Sequence, residues 1–310
     1  MKILRFHFAA ALPALAAALL SACSPGGNTP PKPDIVTTTT MVTDVVRSLA
    51  GDELTIHPLM GPGVDPHLYK PGQEDIQNLQ MANVVVYSGL HLEGKMVDIF
   101  ERLRSQGRKV YALADGLDEA DIITADGQHD PHIWGDAGNW LKCLDHCTKC
   151  LCEAYPEKAA AIRARSATAA LKLSEAHARL QAAANSLPKD QRVLVTSHDA
   201  FRYFGRAYGF EVIGIQGIST VSEASIAGMA KIIDVVKSRG VKAVFVESSV
   251  SHTTIERISK DTGAKIGGEL FSDALGPPGD LRDLGDRKVD CGTTAGMLET
   301  NMHTIVEALK

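Results

Sequence analysis

Gly61-Pro62-Gly63-Val64-Asp65-Pro66-His67-Leu68-Tyr69 follows a strand that the pattern predicts at residues 54–60. Two glycines permit a tight turn, and two prolines then restrict the backbone, so the stretch ends on a rigidly mounted imidazole, His67. A side chain that binds a ligand must be positioned before the ligand arrives, and a rigid loop does this. The alternative is an exposed loop histidine without a function.

Three further side chains favour the binding interpretation. Asp-Pro-His occurs again at residues 130–132, which places His132 behind a proline as His67 is. His198 follows a predicted strand at residues 192–196, and Asp273 lies in a loop behind a later strand, at residues 269–276. Three imidazoles and one carboxylate form a metal site, so we predict His67, His132, His198 and Asp273 as ligands.

Neighbouring polar residues are predicted to support these ligands. Asp65 and Asp130 precede the prolines, where they are expected to accept loop hydrogen bonds or to orient an imidazole. Glu247, at the tip of a predicted strand (242–246), is a candidate for a hydrogen bond to a ligand histidine. His129 is either an accessory ligand or, as we favour, a solvated loop histidine.

Strand and helix patterns alternate from residue 34 onward, which predicts an α/β fold with mostly parallel sheets flanked by helices. In such sheets ligands bind beyond the carboxyl ends of the strands. Residues 157–187 contain no glycine and are rich in alanine, which predicts one long rigid helix of roughly 45 Å. We expect this connecting helix (156–188) to join an N-terminal lobe (34–155) to a C-terminal lobe (189–310). The alternative is a long helix that only packs against the rest of the fold. Residues 115–128 are acidic and are expected to form a loop.

A predicted helix at residues 139–153 carries four cysteines, Cys143, Cys147, Cys150 and Cys152. Spacings of four and three place Cys143, Cys147 and Cys150 on one face, where thiols behave as small apolar groups. Core packing is the favoured interpretation. The alternatives are a disulfide, among the four or to Cys291, and a thiolate metal site. The metal site is disfavoured because Cys147 and Cys150 form one Cys-x2-Cys pair, and known zinc spacings require a second such pair.

The N-terminus has the pattern of a bacterial lipoprotein signal. Lys2 and Arg5 precede an apolar run, and Leu20-Ser21-Ala22-Cys23 resembles a cleavage box, which predicts a signal peptide at 1–22 and a lipid anchor on Cys23. Residues 23–33 are polar and proline-rich, as in a flexible tether. The protein is therefore expected outside the cytoplasm, in the periplasm or at the cell surface. Removing residues 1–22 changes the net charge from −5 to −7, which argues against a nucleic-acid partner.

These motifs resemble a known family. Residues 61–69, Asp130-Pro131-His132-Ile133-Trp134, and Ser197-His198-Asp199-Ala200-Phe201 are similar to motifs of the zinc- and manganese-binding receptors of ABC transporters. Residues 246–249 and 267–274 resemble its TroA branch. The resemblance implies two α/β lobes joined by one long helix, a single metal between them, and an ABC-transporter permease as partner. It places the family's ligands on His67, His132, His198 and Asp273.

The donor set favours Zn²⁺, with Mn²⁺ close behind, since manganese prefers more oxygen ligands. Manganese receptors of this family often carry glutamate at the third position, where this chain has His198. Typical zinc receptors carry a long histidine-rich loop before the second ligand. In this chain the stretch before His132 is short. A zinc hydrolase is disfavoured because four protein ligands leave no open position and no His-Glu-x-x-His motif is present. A surface adhesin stabilised by metal is the other alternative.

Overall fold

The structure is a computed structural model that describes residues 32–125, 127–222 and 225–310. The predicted signal peptide, Cys23 and the tether up to Pro31 lie outside the described residues. Within those residues, no helix combines the length and the apolar character that crossing a membrane requires.

The N-terminal lobe is built on a parallel four-stranded sheet in the order β2-β1-β3-β4. β3 reads Val-Val-Val-Tyr, and its three valines are buried, as expected for a strand covered on both faces. Three helices connect the strands. The elements are β1 (Ile35–Thr37), α1 (Thr40–Ala50), β2 (Ile56–Pro58), α2 (Gln73–Met81), β3 (Val84–Tyr87), α3 (Val97–Ser105) and β4 (Lys109–Ala112).

The acidic stretch after β4 is more ordered than its composition indicates. It contains two 3₁₀ turns, Leu113–Gly116 and Glu119–Asp121, and a hairpin of β5 (Thr124–Ala125) and β6 (Gln128–His129). The prediction of a loop here was wrong, because strands of two residues are too short to show an alternating apolar pattern.

The cysteine-bearing helix α4 (Ala137–Ala154) begins at Asp136, whose carboxylate caps the helix by accepting from the Gly138 amide. Cys143, Cys147 and Cys152 belong to the main apolar core, and all five cysteines of the described residues are buried free thiols. Burial raises the pKa of Cys150 to about 11. Core packing, the favoured interpretation, is confirmed for Cys143 and Cys147, whereas Cys150 is buried beside the His146 ring, with Sγ 3.5 Å from Nε2.

The long helix α5 (Ala159–Asn185) spans 27 residues, or about 40 Å, after a 3₁₀ turn at Pro156–Lys158. It is slightly shorter than predicted, because residues 156–158 form the 3₁₀ turn and the helix ends at Asn185. Its buried side chains are three large apolar residues and two alanines: Ile162, Leu173, Leu180, Ala176 and Ala184. It packs against α1, α4 and the last helix of the chain.

The C-terminal lobe contains two parallel strand pairs, β7 with β8 and β9 with β10. β7 and β9 lie side by side, so the two pairs form one layer. Its elements are β7 (Val193–Thr196), α6 (Arg202–Tyr208), β8 (Glu211–Gly214), α7 (Ile226–Arg239), β9 (Ala243–Glu247), α8 (Thr253–Thr262), β10 (Lys265–Leu270), β11 (Leu281–Asp283), β12 (Lys288–Asp290) and α9 (Thr294–Leu309).

The predicted α/β fold with two lobes and one long helix is confirmed. The closing helix α9 begins after Thr293, whose side chain caps it by accepting from the Gly296 amide. The antiparallel hairpin β11–β12 was not predicted, because its strands are short and largely exposed and carry few apolar residues.

Candidate metal centre

His67, His132, His198 and Asp273 converge on one point, and one ligand atom of each lies within 4.8 Å of all the others. The Nε2 atoms of His67 and His132 are 3.3 Å apart. The carboxylate of Asp273 lies 3.4 Å from Nε2 of His132 and 3.2 Å from Nε2 of His198. Ligands at the usual distances from a tetrahedral zinc ion lie about 3.3–3.6 Å apart, so the cluster has the dimensions of a metal site.

His67 is held by the loop that contains it. The Asp65 carboxylate accepts a hydrogen bond from the His67 amide at 2.8 Å, and Gly63 adopts a left-handed conformation (φ 74°) that favours glycine. The second oxygen of Asp65 accepts from the hydroxyl of Thr220 at 2.6 Å. The loop is therefore fixed from both lobes.

His132 is oriented by its own motif. Oδ1 of Asp130 accepts from the His132 amide at 3.0 Å and lies 2.7 Å from Nδ1 of the ring. An imidazole that donates from Nδ1 to a carboxylate presents Nε2 as the free ligand atom. Tyr203 from α6 in turn donates to the carbonyl of Asp130 at 2.9 Å.

His198 has the same kind of support from another element. Glu247, at the end of β9, is fully buried, and its Oε1 accepts from the His198 amide at 2.8 Å. Its Oε2 lies 2.5 Å from Nδ1 of the His198 ring. Glu247 thus contacts a cluster histidine on the side away from Asp273, which leaves Nε2 facing the cluster.

Asp273 is 1% exposed and is positioned by bonds to its neighbours in the chain. Trp134 donates from Nε1 to the carbonyl of Ser272 at 2.9 Å, and the amide of Leu275 donates to Thr40 at 2.8 Å. Within the described residues, neither carboxylate oxygen of Asp273 makes a hydrogen bond of good geometry. Since buried polar atoms are nearly always partnered, a cation fits this position.

The electrostatics of the cluster suit a cation as well. Burial lowers the pKa of His67 to about 4, against a smaller opposite effect of Asp273. Burial opposes protonation of His198, but the carboxylates of Glu247 and Asp273 outweigh it and raise the pKa of His198 well above its usual value. Burial would raise the pKa of Asp273, yet the three histidines hold it well below its usual range. Asp273 therefore stays ionised at neutral pH.

The other residues considered from the sequence lie outside the cluster. His129 is exposed on β6, where Nδ1 lies 3.0 Å from the hydroxyl of Thr124. None of the four cysteines of α4 belongs to the cluster. Three of them lie in the apolar core, and Cys150 is buried beside His146. The contact between Thr220 and Asp65 was missed, because 155 residues separate the two and no local pattern connects them.

Comparison with known proteins agrees with the fold and the motifs. The profile of the family ZnuA, zinc-uptake complex component A, periplasmic, matches residues 35–308. Zinc-binding protein TroA of Treponema pallidum (strain Nichols) is 39% identical over 284 residues, which cover 90% of this chain and 89% of that protein. Manganese-binding lipoprotein MntA of Bacillus subtilis (strain 168) is 39% identical over 285 residues, 89% of each.

A solved structure shows the same architecture. The periplasmic zinc-binding protein TroA from Treponema pallidum superposes with a TM-score of 0.84 at 39% identity, over 90% of this chain and 99% of that one. The family profile covers most of the chain, and the similarity extends over both lobes. The chain therefore belongs to the family of periplasmic zinc-uptake complex component A.

Proposed function

We propose that this protein is an extracytoplasmic receptor that binds one divalent transition-metal ion with His67, His132, His198 and Asp273 and delivers it to the permease of an ABC transporter. Its family consists of substrate-binding components of ABC uptake systems, so the protein is not an enzyme. The observation that carries the ligand assignment is the buried carboxylate of Asp273, which faces three imidazoles and has no hydrogen-bond partner in the described part of the chain.

The transported metal is zinc or manganese, with zinc favoured. Three nitrogens and one carboxylate form the four-coordinate donor set typical of zinc, and both oxygens of Asp273 are available for an ion that needs more oxygen. Relatives named for each of the two metals support both candidates.

The ligands come in pairs from the two halves of the chain, two before α5 and two after it. We infer that residues 34–155 and 189–310 act as separate lobes around the ion, joined by the segment 156–188. The contact of Thr220 with Asp65 links the two lobes beside the cluster.

A lipid on Cys23 would keep the receptor near its permease. The sequence Leu20-Ser21-Ala22-Cys23 and the description of one relative as a lipoprotein support this anchor. Cys23→Ala is then expected to release the protein from the membrane fraction without changing metal binding by the purified chain.

The experiment that tests the transport function is metal uptake by cells that lack this protein. Uptake of zinc or manganese at low external concentration should fall on deletion, and wild-type protein should restore it. His132→Ala should fail to restore uptake, whereas the matched control His129→Ala, an exposed histidine outside the cluster, should succeed. Unchanged uptake in the deletion strain would contradict the transport function.

A further inference from the structure

Cys150 and His146 form a pair of potential metal ligands on α4, outside the metal centre. They are four residues apart, so they share one face of the helix, and Sγ of Cys150 lies 3.5 Å from Nε2 of His146. Of the four cysteines of α4, Cys150 is the one that belongs to no apolar core cluster of the described residues. The pair therefore differs from the core thiols Cys143 and Cys147.

The separation of the two ligand atoms matches that of a tetrahedral chelate. Zinc binds a cysteine sulfur at about 2.3 Å and a histidine nitrogen at about 2.0–2.1 Å, and a tetrahedral angle then places the two atoms about 3.5–3.6 Å apart. The observed distance between Sγ and Nε2, 3.5 Å, lies in this range. Two positions of the tetrahedron remain for water or for a nearby carboxylate.

The pair lies at the surface of the N-terminal lobe. His146 is partly exposed in the wall of an open groove of about 420 Å³, which runs beside the 3₁₀ turn Leu113–Gly116 and shares no residue with the metal centre. Gly116 permits this packing, because a Cβ atom at that position would lie 2.6 Å from Cβ of His146. Cys150, which is 7% exposed, lies beside the imidazole. An ion in the groove therefore reaches the pair from solvent.

The charges around the pair favour a cation. The two lysines of the groove are each paired with an aspartate, at 2.6 and 2.7 Å. Glu153 and Asp115 are exposed, form no ion pair within the described part of the chain, and together with burial raise the pKa of Cys150 to about 11. Uncompensated carboxylates concentrate cations near them. The thiol is protonated at neutral pH, and a metal ion that binds sulfur displaces this proton.

We propose that His146 and Cys150 form a second binding site for a thiophilic divalent cation such as zinc, weaker than the metal centre and open to solvent. Thiolate and imidazole are ligands that suit zinc, whereas manganese prefers oxygen. Binding forms one bond from the ion to Sγ and one to Nε2, and it releases the thiol proton to water. Two protein ligands hold an ion less tightly than four, so this site is expected to lose its ion during purification.

Cobalt is the probe for this site, because a cobalt ion bound by a thiolate has a charge-transfer absorption in the near ultraviolet that ligands without sulfur do not give. The four residues of the metal centre include no cysteine, so this band reports thiol sites. Titration of the reduced full chain with Co²⁺ should give the band saturably, both before and after one equivalent of zinc has been added to fill the metal centre. Excess zinc should then remove the band, and the same concentration of Mn²⁺ should not.

Three variants make the test specific. Cys150→Ser and His146→Gln should each abolish the band at the cobalt concentration that saturates the wild type. Cys152→Ser is the matched control and should keep the band, since Cys152 lies on the same helix but contacts a backbone carbonyl instead of an imidazole. Thermal unfolding without metal shows whether each variant is folded.

Two results would overturn the proposal. One is the absence of a saturable band in the wild type, which is the result for a thiol and an imidazole that are only hydrogen-bonded. The other is an unchanged cobalt affinity of the band in folded Cys150→Ser or His146→Gln. Because the readout comes from a thiolate, its failure leaves the transport function untouched.

Discussion

Glu247→Gln removes one negative charge beside His198. The substituted side chain lies against the backbone amide and Nδ1 of His198, and not against Nε2, the atom that faces Asp273. Glu247 accepts from the His198 amide with one oxygen and lies against Nδ1 of the ring with the other. A glutamine side chain offers one acceptor and one donor in place of two acceptors. If its carbonyl faces the ring, its NH₂ group opposes the backbone N–H. If its carbonyl faces the backbone, its NH₂ group donates to Nδ1 and drives the ring proton to Nε2, the atom that faces Asp273.

Either arrangement weakens metal binding. The first loses the buried hydrogen bond that the His198 amide donates to Glu247. The second places the ring proton on the ligand nitrogen, which must lose it before a metal can bind. Loss of a partner that orients a ligand histidine typically costs 10–100-fold in metal affinity, so we expect zinc binding by Glu247→Gln to weaken by about 1.4–2.7 kcal/mol.

The assay is a zinc titration in competition with a chromophoric chelator, for wild type, Glu247→Gln and a matched control. Glu299→Gln is that control, since Glu299 is also a buried carboxylate but pairs with Arg179 and Arg287 away from the cluster. Thermal unfolding without metal shows whether each variant is folded. A folded Glu247→Gln protein that binds zinc within twofold of wild type would refute the role assigned to Glu247.

Three further predictions concern the same structure. Zinc affinity should fall about tenfold per unit decrease in pH near neutrality, because His198, whose pKa is raised, must release one proton when zinc binds. His67, with a pKa of about 4, is already neutral and releases none. Zinc titrations at several pH values that show no pH dependence would contradict this. Thr220→Val should weaken zinc binding about two- to tenfold in the competition assay, since it removes the hydrogen bond to Asp65, and unchanged affinity would exclude that contact as a support of the site. Cys147→Ser should lower the free energy of unfolding in urea by about 1–3 kcal/mol, because it buries a hydroxyl in an apolar core; equal midpoints would argue against core packing of this thiol.

The sequence predicted those parts of the fold whose pattern is local. The parallel strands and the glycine-free helix α5 follow from the alternation of strand and helix patterns and from composition. The hairpins β5–β6 and β11–β12 were not predictable in this way, because their strands are only two or three residues long and carry no alternating pattern.

In the candidate site, too, local motifs were predictable from the sequence and contacts between distant segments were not. His67 and His132 are marked by Asp-Pro-His motifs, in which the aspartate, the proline and the histidine act within three residues. The partnership of Glu247 with His198 was suggested only by the position of both at strand ends. The bond between Thr220 and Asp65 joins loops of different lobes, so only the tertiary structure reveals it.

We propose that His67, His132, His198 and Asp273 form a single metal site. The most direct measurement is the metal content of protein purified without added metal, followed by competitive Zn²⁺ and Mn²⁺ titration of wild type, Asp273→Ala and His198→Glu. We predict one equivalent of metal in the wild type, loss of tight binding in Asp273→Ala, and a shift of preference towards manganese in His198→Glu. Absence of stoichiometric metal from the wild type, or undiminished binding by Asp273→Ala, would contradict the four-ligand site.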